Sequence, residues 1–133
     1  MDVLNETIDA KKVDYKLLRA ALFYYTNRAR TEQGLDAFSY SEKLYASAQG
    51  HSEDMVKNKF YSHTSSVKGK ASLSDRLRLV DLYPLVYSEN LSNVTVSPKT
   101  YSELAKKIVD AWMNSTKHKA NILHPELKYL ACG

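Results

Sequence analysis

Residues 108–123 read IVDAWMNSTKHKANIL. This stretch holds the only tryptophan of the chain, Trp112. Ile108, Ala111, Trp112 and Ser115 recur at steps of three and four, so they share one face of a helix. The first half is therefore the end of an amphipathic helix. The second half is polar around Lys117-His118-Lys119 and reads as a turn that carries His118 and Asn121 beyond the helix end. Pro125 blocks any helix past His124.

Thr100-Tyr101-Ser102-Glu103 is a capping-box pattern that starts this helix, and the segment before it, 93–98, reads as loop. Three earlier helical segments precede it. Val13, Leu17, Leu18, Ala21, Leu22, Tyr25 and Ala29 form a wide apolar stripe, with Asp14 as N-cap and Gly34 as its left-handed stop. Ser39-Tyr40-Ser41-Glu42 is a second capping-box pattern, opening a helix to about Asn58 whose stripe carries Leu44, Ala48, His51 and Met55. Ser72-Leu73-Ser74-Asp75 starts a short helix through Leu77 and Val80, ahead of Pro84. Leu85–Leu91 alternates as a strand does, and Tyr129–Gly133 begins as one. Residues 64–69 read as an exposed, mobile loop. Residues 1–12 have no period and read as a flexible N-terminal arm, leaving 13–133 as a single domain.

The totals exclude several classes. At 133 residues, 44 % apolar and 26 % charged, the chain builds a core without disulfides. Its one cysteine, Cys132, cannot form an internal bridge. The net charge of +4 comes from dispersed lysines rather than a basic run, which argues against nucleic acid. No apolar run spans a bilayer, and MDVLNETIDAKK has no signal-peptide core.

The ordered set Tyr24-Tyr25-Thr26-Asn27-Arg28-Ala29-Arg30, Gly34-Leu35, Leu44…Ala48…His51…Asp54-Met55, Phe60-Tyr61-Ser62-His63-Thr64, Ser88-Glu89-Asn90-Leu91 and Ala111-Trp112…Ser115…His118-Lys119-Ala120-Asn121-Ile122-Leu123 resembles the bacterial branch of the CAP superfamily. That family comprises cysteine-rich secretory proteins, antigen 5 and pathogenesis-related 1 proteins. The likeness is collinear over roughly 13–133. It implies an α+β fold, a three-layer α-β-α sandwich around a small, mainly antiparallel sheet, here with the C-terminal strand shortened or missing. It also implies export, with the leader absent from this sequence, and residence outside the cell or at the bacterial surface through a lipid anchor.

The family's cleft holds two histidines and two glutamates that bind a divalent metal in some members. His63 matches the first histidine and Glu89 the first glutamate, with Ser88 in place of a glycine. Ser115 stands where the second glutamate belongs, and the second histidine would fall beyond Gly133. The candidate cleft residues are thus His63, Glu89, Ser115, His118 and Asn121, with Tyr61 and Tyr87 two residues from the first pair. His63, Glu89 and His118 are the candidate ligands of a metal such as zinc. The plain structural alternative is a hydrogen-bonded His63–Glu89 pair pinning a loop. His51, on an apolar stripe, and Trp112 read as structural.

Ser62, Ser88 or Ser115 offers a hydroxyl beside a His–carboxylate pair, but no nucleophile elbow accompanies them. The resemblance thus implies a monomeric, non-catalytic binding module for a lipid, a sterol, or a host or envelope protein. The competing reading is a divalent-metal-dependent hydrolase or peptidase using His63 and Glu89.

Overall fold

A computed structural model describes residues 2–96 and 99–133. The chain falls into two compact units: one runs up to Ala37 and resumes over Ser92–Pro125, and the other comprises Phe38–Leu91 and Glu126–Gly133. Among the described residues the architecture is mixed, with five α-helices and a very short sheet.

The first unit is helix on helix. Helix α1 spans Tyr15–Glu32 and α4 spans Tyr101–Met113. Asp14 caps α1 by accepting from the Leu17 N–H at 3.1 Å. Gly34, at φ +76°, ends it in the left-handed turn that a Cβ would strain. On α4, Tyr101, Leu104, Ala105, Ile108 and Val109 are buried, the three-and-four spacing of a helix with one face in the core. Leu17, Leu18, Leu22 and Trp112 pack onto that face. Burying each large side chain contributes about 1.5–3 kcal/mol. The Tyr101 hydroxyl is satisfied as well, accepting from the Asp14 N–H at 2.7 Å.

Two expectations are corrected in this unit. The N-terminal arm is docked: Asp2–Asn5 form a 3-10 turn, and Leu4 and Ile8 are 2 % and 4 % exposed within the core. The Ile8 N–H donates to the Lys99 carbonyl at 2.7 Å, beside an antiparallel bridge between Thr7 and Thr100. Two apolar residues four apart suffice to seat a segment too short to show a period. Residues 116–122 form a helix, α5 (Thr116–Ile122), not a turn. Arg30, 3 % exposed, donates to the Ile122 and His124 carbonyls at 2.8 and 2.9 Å and so satisfies the end of that helix. The loop expected over 93–98 is irregular as far as Val96, while its last two positions, like position 1, lie outside the described residues.

The second unit holds α2 (Glu42–Lys57), α3 (Leu73–Arg78) and the sheet. Strand β1 is Ser39–Tyr40 and β2 is Tyr129–Leu130, paired in parallel with Ser39 opposite Tyr129. The described ladder is thus parallel rather than antiparallel. Ser39 and Tyr40 are strand residues, and the N-cap of α2 is Ser41, whose hydroxyl accepts from the Leu44 N–H at 3.2 Å. A two-residue strand whose partner lies some ninety residues on leaves no local trace. Leu85–Leu91 forms no strand.

Candidate functional site

The site begins at a capping box. The Ser72 hydroxyl accepts from the Asp75 N–H at 3.0 Å, and the Asp75 carboxylate accepts from the Ser72 N–H at 3.2 Å. The backbone hydrogen bond from Ser72, with its hydroxyl contact second, holds the Asp75 carboxyl below its ordinary range. Fixing this first turn sets the phase of α3. Leu73, Arg76 and Leu77 then share the inner face, and Arg76 and Leu77 are each 3 % exposed.

The guanidinium of Arg76 ties three places together. Its Nη1 donates to the His63 carbonyl at 2.9 Å, with the Lys70 and Ala71 carbonyls at 3.2 and 3.3 Å. Its Nη2 lies 3.0 and 3.1 Å from the two carboxylate oxygens of Glu89. The Nε is buried with no hydrogen-bond partner among the described residues. The His63 Nδ1 lies 2.9 Å from Glu89 Oε1. A carboxylate only accepts, so Nδ1 is the donor, and of the two ring nitrogens only Nε2 is left to carry a lone pair. The Glu89 side chain is only 14 % exposed, while that of His63 is 59 % exposed.

His51 is buried behind this group. Its Nε2 donates to the Ser62 carbonyl at 2.9 Å, and the same nitrogen stands 4.0 Å from Glu89 Oε1. Its ring packs 5.9 Å from that of Phe60. The structural reading of His51 therefore rests on a specific bond that pins the 60–65 loop. This loop, with its continuation to Ala71, is ordered by its own bonds: Ser65 is buried, donates its N–H to the Ala71 carbonyl at 2.9 Å, and its hydroxyl accepts from Val67 at 3.1 Å. Within 64–69, Thr64, Ser66, Lys68 and Gly69 are exposed as their composition suggests, with Ser65 buried among them.

His63 and Glu89 are brought together from 26 positions apart. Ser115, His118 and Asn121 belong to the other unit, where the His118 Nδ1 pairs with the Ser115 hydroxyl at 2.8 Å and Asn121 is half-buried on α5. His118 lies within this helix rather than past a helix end. Trp112 packs against the core of Ile8, Tyr101, Leu104 and Ile108. Tyr61 and Tyr87 are exposed. Tyr87 also lines a surface hollow of about 290 Å³ together with Leu77, Arg78, Tyr83, Pro84 and Leu85.

Arg76 is the residue that motif reading misses. The available signal is its place three after Leu73 and one before Leu77, directly behind a capping box. There a cation on the buried face must be met by a carboxylate or by backbone carbonyls.

A divalent metal fits poorly on these side chains. Both oxygens of Glu89 already face the Arg76 cation, and the imidazole nitrogen turned toward Glu89 carries a proton. Among the described residues no group of three or more His, Cys, Asp or Glu side chains is placed to hold a metal ion.

Fold and site together define a small α+β domain whose cleft-type histidine and glutamate are gathered by a buried arginine. The sequence model of the cysteine-rich secretory protein family, CAP, matches residues 23–133, and the chain belongs to that family. It is 31 % identical over 108 residues to the uncharacterized protein YkwD of Bacillus subtilis (strain 168), covering 81 % of this chain and 38 % of that protein. It is 31 % identical over 109 residues to the uncharacterized membrane protein YlbC of the same organism, again covering 81 % of this chain but 29 % of the relative. This chain thus spans well under half of either relative.

Among solved structures, an extracellular protein containing an SCP domain from Bacillus anthracis str. Ames superposes with a TM-score of 0.72 at 25 % identity, over 86 % of this chain and 35 % of that one. An outer surface protein from Borrelia burgdorferi shares the fold with a TM-score of 0.59 at 19 % identity, over 94 % and 82 % of the two chains.

Proposed function

We propose that this chain is a non-catalytic binding module of an exported bacterial protein, working outside the cell or at its surface, with an apolar or amphipathic ligand of lipid type. The similar solved structures are named as extracellular and outer-surface proteins, which supports the location. Among the described residues no helix is long and apolar enough to cross a membrane.

The observation that carries the binding reading is the apolar rim of the hollow. Leu85 is 99 % exposed, Tyr83 71 % and Tyr87 44 %. Large apolar side chains clustered on a surface mark contact sites, and Tyr adds a hydroxyl for a wet edge. The competing hydrolase reading needs a free carboxylate at Glu89, and the Arg76 contact weighs against it.

The test is co-flotation with phosphatidylcholine–phosphatidylglycerol vesicles, alongside native mass spectrometry of the protein as purified. Binding that is lost in a Tyr83→Ser/Leu85→Ser variant with unchanged circular dichroism supports the lipid reading. No flotation and no co-purified apolar molecule would move the surface to a host or envelope protein partner.

A further inference from the structure

We propose that Arg76 is the resident counter-cation of Glu89, so that the His63–Glu89 pair of this chain operates without a divalent metal. The inference goes beyond the binding reading and does not depend on it.

A carboxylate only 14 % exposed needs a positive partner close by, because burial disfavours the charged form. Arg76 supplies it through one nitrogen shared between both oxygens, at 3.0 and 3.1 Å. An ion ligated by Glu89 would sit about 2.0–2.2 Å from a carboxylate oxygen. There it would meet a guanidinium of like sign. Displacing Arg76 is opposed by its other nitrogen, which is held by the carbonyls of His63, Lys70 and Ala71.

The histidine argues the same way. Its Nδ1–H points to Glu89 Oε1, so the nitrogen able to ligate is Nε2, across the ring. As arranged, the imidazole and the carboxylate cannot chelate one ion between them. What they form instead is a clasp: one cation joins the 63–71 loop, α3 and the segment carrying Glu89. Those last two also supply Leu77, Arg78 and Tyr87 to the hollow.

The experiment is a thermal melt of the whole chain in chelator and across a zinc titration, repeated for Arg76→Met, Glu89→Gln and the double variant. The wild-type melting temperature is expected to be the same in chelator and in zinc. Each single variant is expected to lose about 10 °C or more, because it strands a charge or breaks the hydrogen-bonded pair. The double variant is expected to lose less than the two single losses added together, because no unpaired charge remains.

A zinc-dependent rise in the wild type that disappears in His63→Ala overturns the proposal. So does a double variant whose loss equals the sum. If Arg76→Met does not fold, Glu89→Gln decides with the zinc titration: a Glu89→Gln protein as stable as wild type also overturns it. Vesicle binding is measured separately, so failure of the lipid reading leaves a distinct signature.

Discussion

The two units stay folded by different means. In the unit of α1, α4 and α5, the buried residues are mostly apolar: Leu4, Ile8, Ala21, Tyr101, Leu104, Ala105, Ile108, Val109 and Ile122, with Thr26 and Arg30. In the unit of α2 and α3, only Phe38 and Leu77 are buried apolar side chains among the described residues, against His51, Ser65 and Arg76. Each unit buries one arginine, and the pair makes the contrast specific. Arg30 donates to carbonyls of Asp36, Ile122 and His124 at a helix end. Burial lowers its pKa, with Asp36 opposing the shift. Arg76 binds carbonyls and also a carboxylate. The first arginine finishes a core that apolar packing already holds; the second stands in for a core. The difference teaches where apolar residues are spent: the second unit leaves Leu79, Tyr83 and Leu85 in solvent.

The strongest way to break this contrast is Arg76→Ala. It takes the cation from Glu89 and the guanidinium donor from the His63 and Lys70 carbonyls, at a cost of about 3–5 kcal/mol. Amide hydrogen exchange should accelerate across residues 60–91, while the amides of α4 keep their protection. Equal acceleration in α4 would show that the units share one source of stability and would dissolve the comparison. The complementary change is Leu104→Ala, at a 2 % exposed position. It should cost about 3 kcal/mol by the cavity it leaves. Its exchange signature should be the reverse, with α1 and α4 loosened most. Urea unfolding gives both free energies on one scale.

The unit built on apolar periodicity was the legible one. The stripes of α1 and α4 announce themselves at three-and-four spacing, and Asp14, Gly34 and Thr100 mark their ends by known cap chemistry. What stayed hidden was non-local or small. The strands β1 and β2 are two residues each, and their pairing is set by chain far away in sequence. The seat of Leu4 and Ile8 depends on a surface that only the folded helices create. In the site, the family pattern names His63 and Glu89 correctly as neighbours, because such motifs encode geometry. The pattern is silent about Arg76, since a cation in a six-residue helix looks like ordinary surface. Only its phase relative to Leu73 and Leu77 shows that it points inward.

That phase is set by the Ser72–Asp75 box, which offers a gentler probe of the same unit. Ser72→Ala removes the hydroxyl that accepts from the Asp75 N–H and should cost about 1 kcal/mol. The effect should exceed that of an N-cap change at an exposed helix with nothing behind it, because fraying of α3 also loosens Arg76. A double variant with Arg76→Ala tests this link. If the cap acts through the arginine, the two losses overlap; if they add in full, the cap stabilises α3 alone.

The smallest expected effect is in acid, and its sign follows from Asp75. Its carboxyl is held below the ordinary value of 3.8, first by the Ser72 backbone N–H. The folded state therefore binds the proton less readily than the unfolded chain does. The contribution is complete above pH 3.8 and fades as pH falls below it, through the lowered folded value. Wild type should be more stable than Asp75→Ala at neutral pH, and the gap should narrow as the buffer passes below that value. Because the side chain lies at the surface, added salt trims its interaction with Arg78 but leaves the hydrogen bond from the Ser72 backbone largely intact. A gap that persists unchanged to the most acid buffer would mean that the carboxylate's charge contributes nothing to the box. The phase of α3, and the inward aim of Arg76, would then rest on Ser72 and the burial of Leu77.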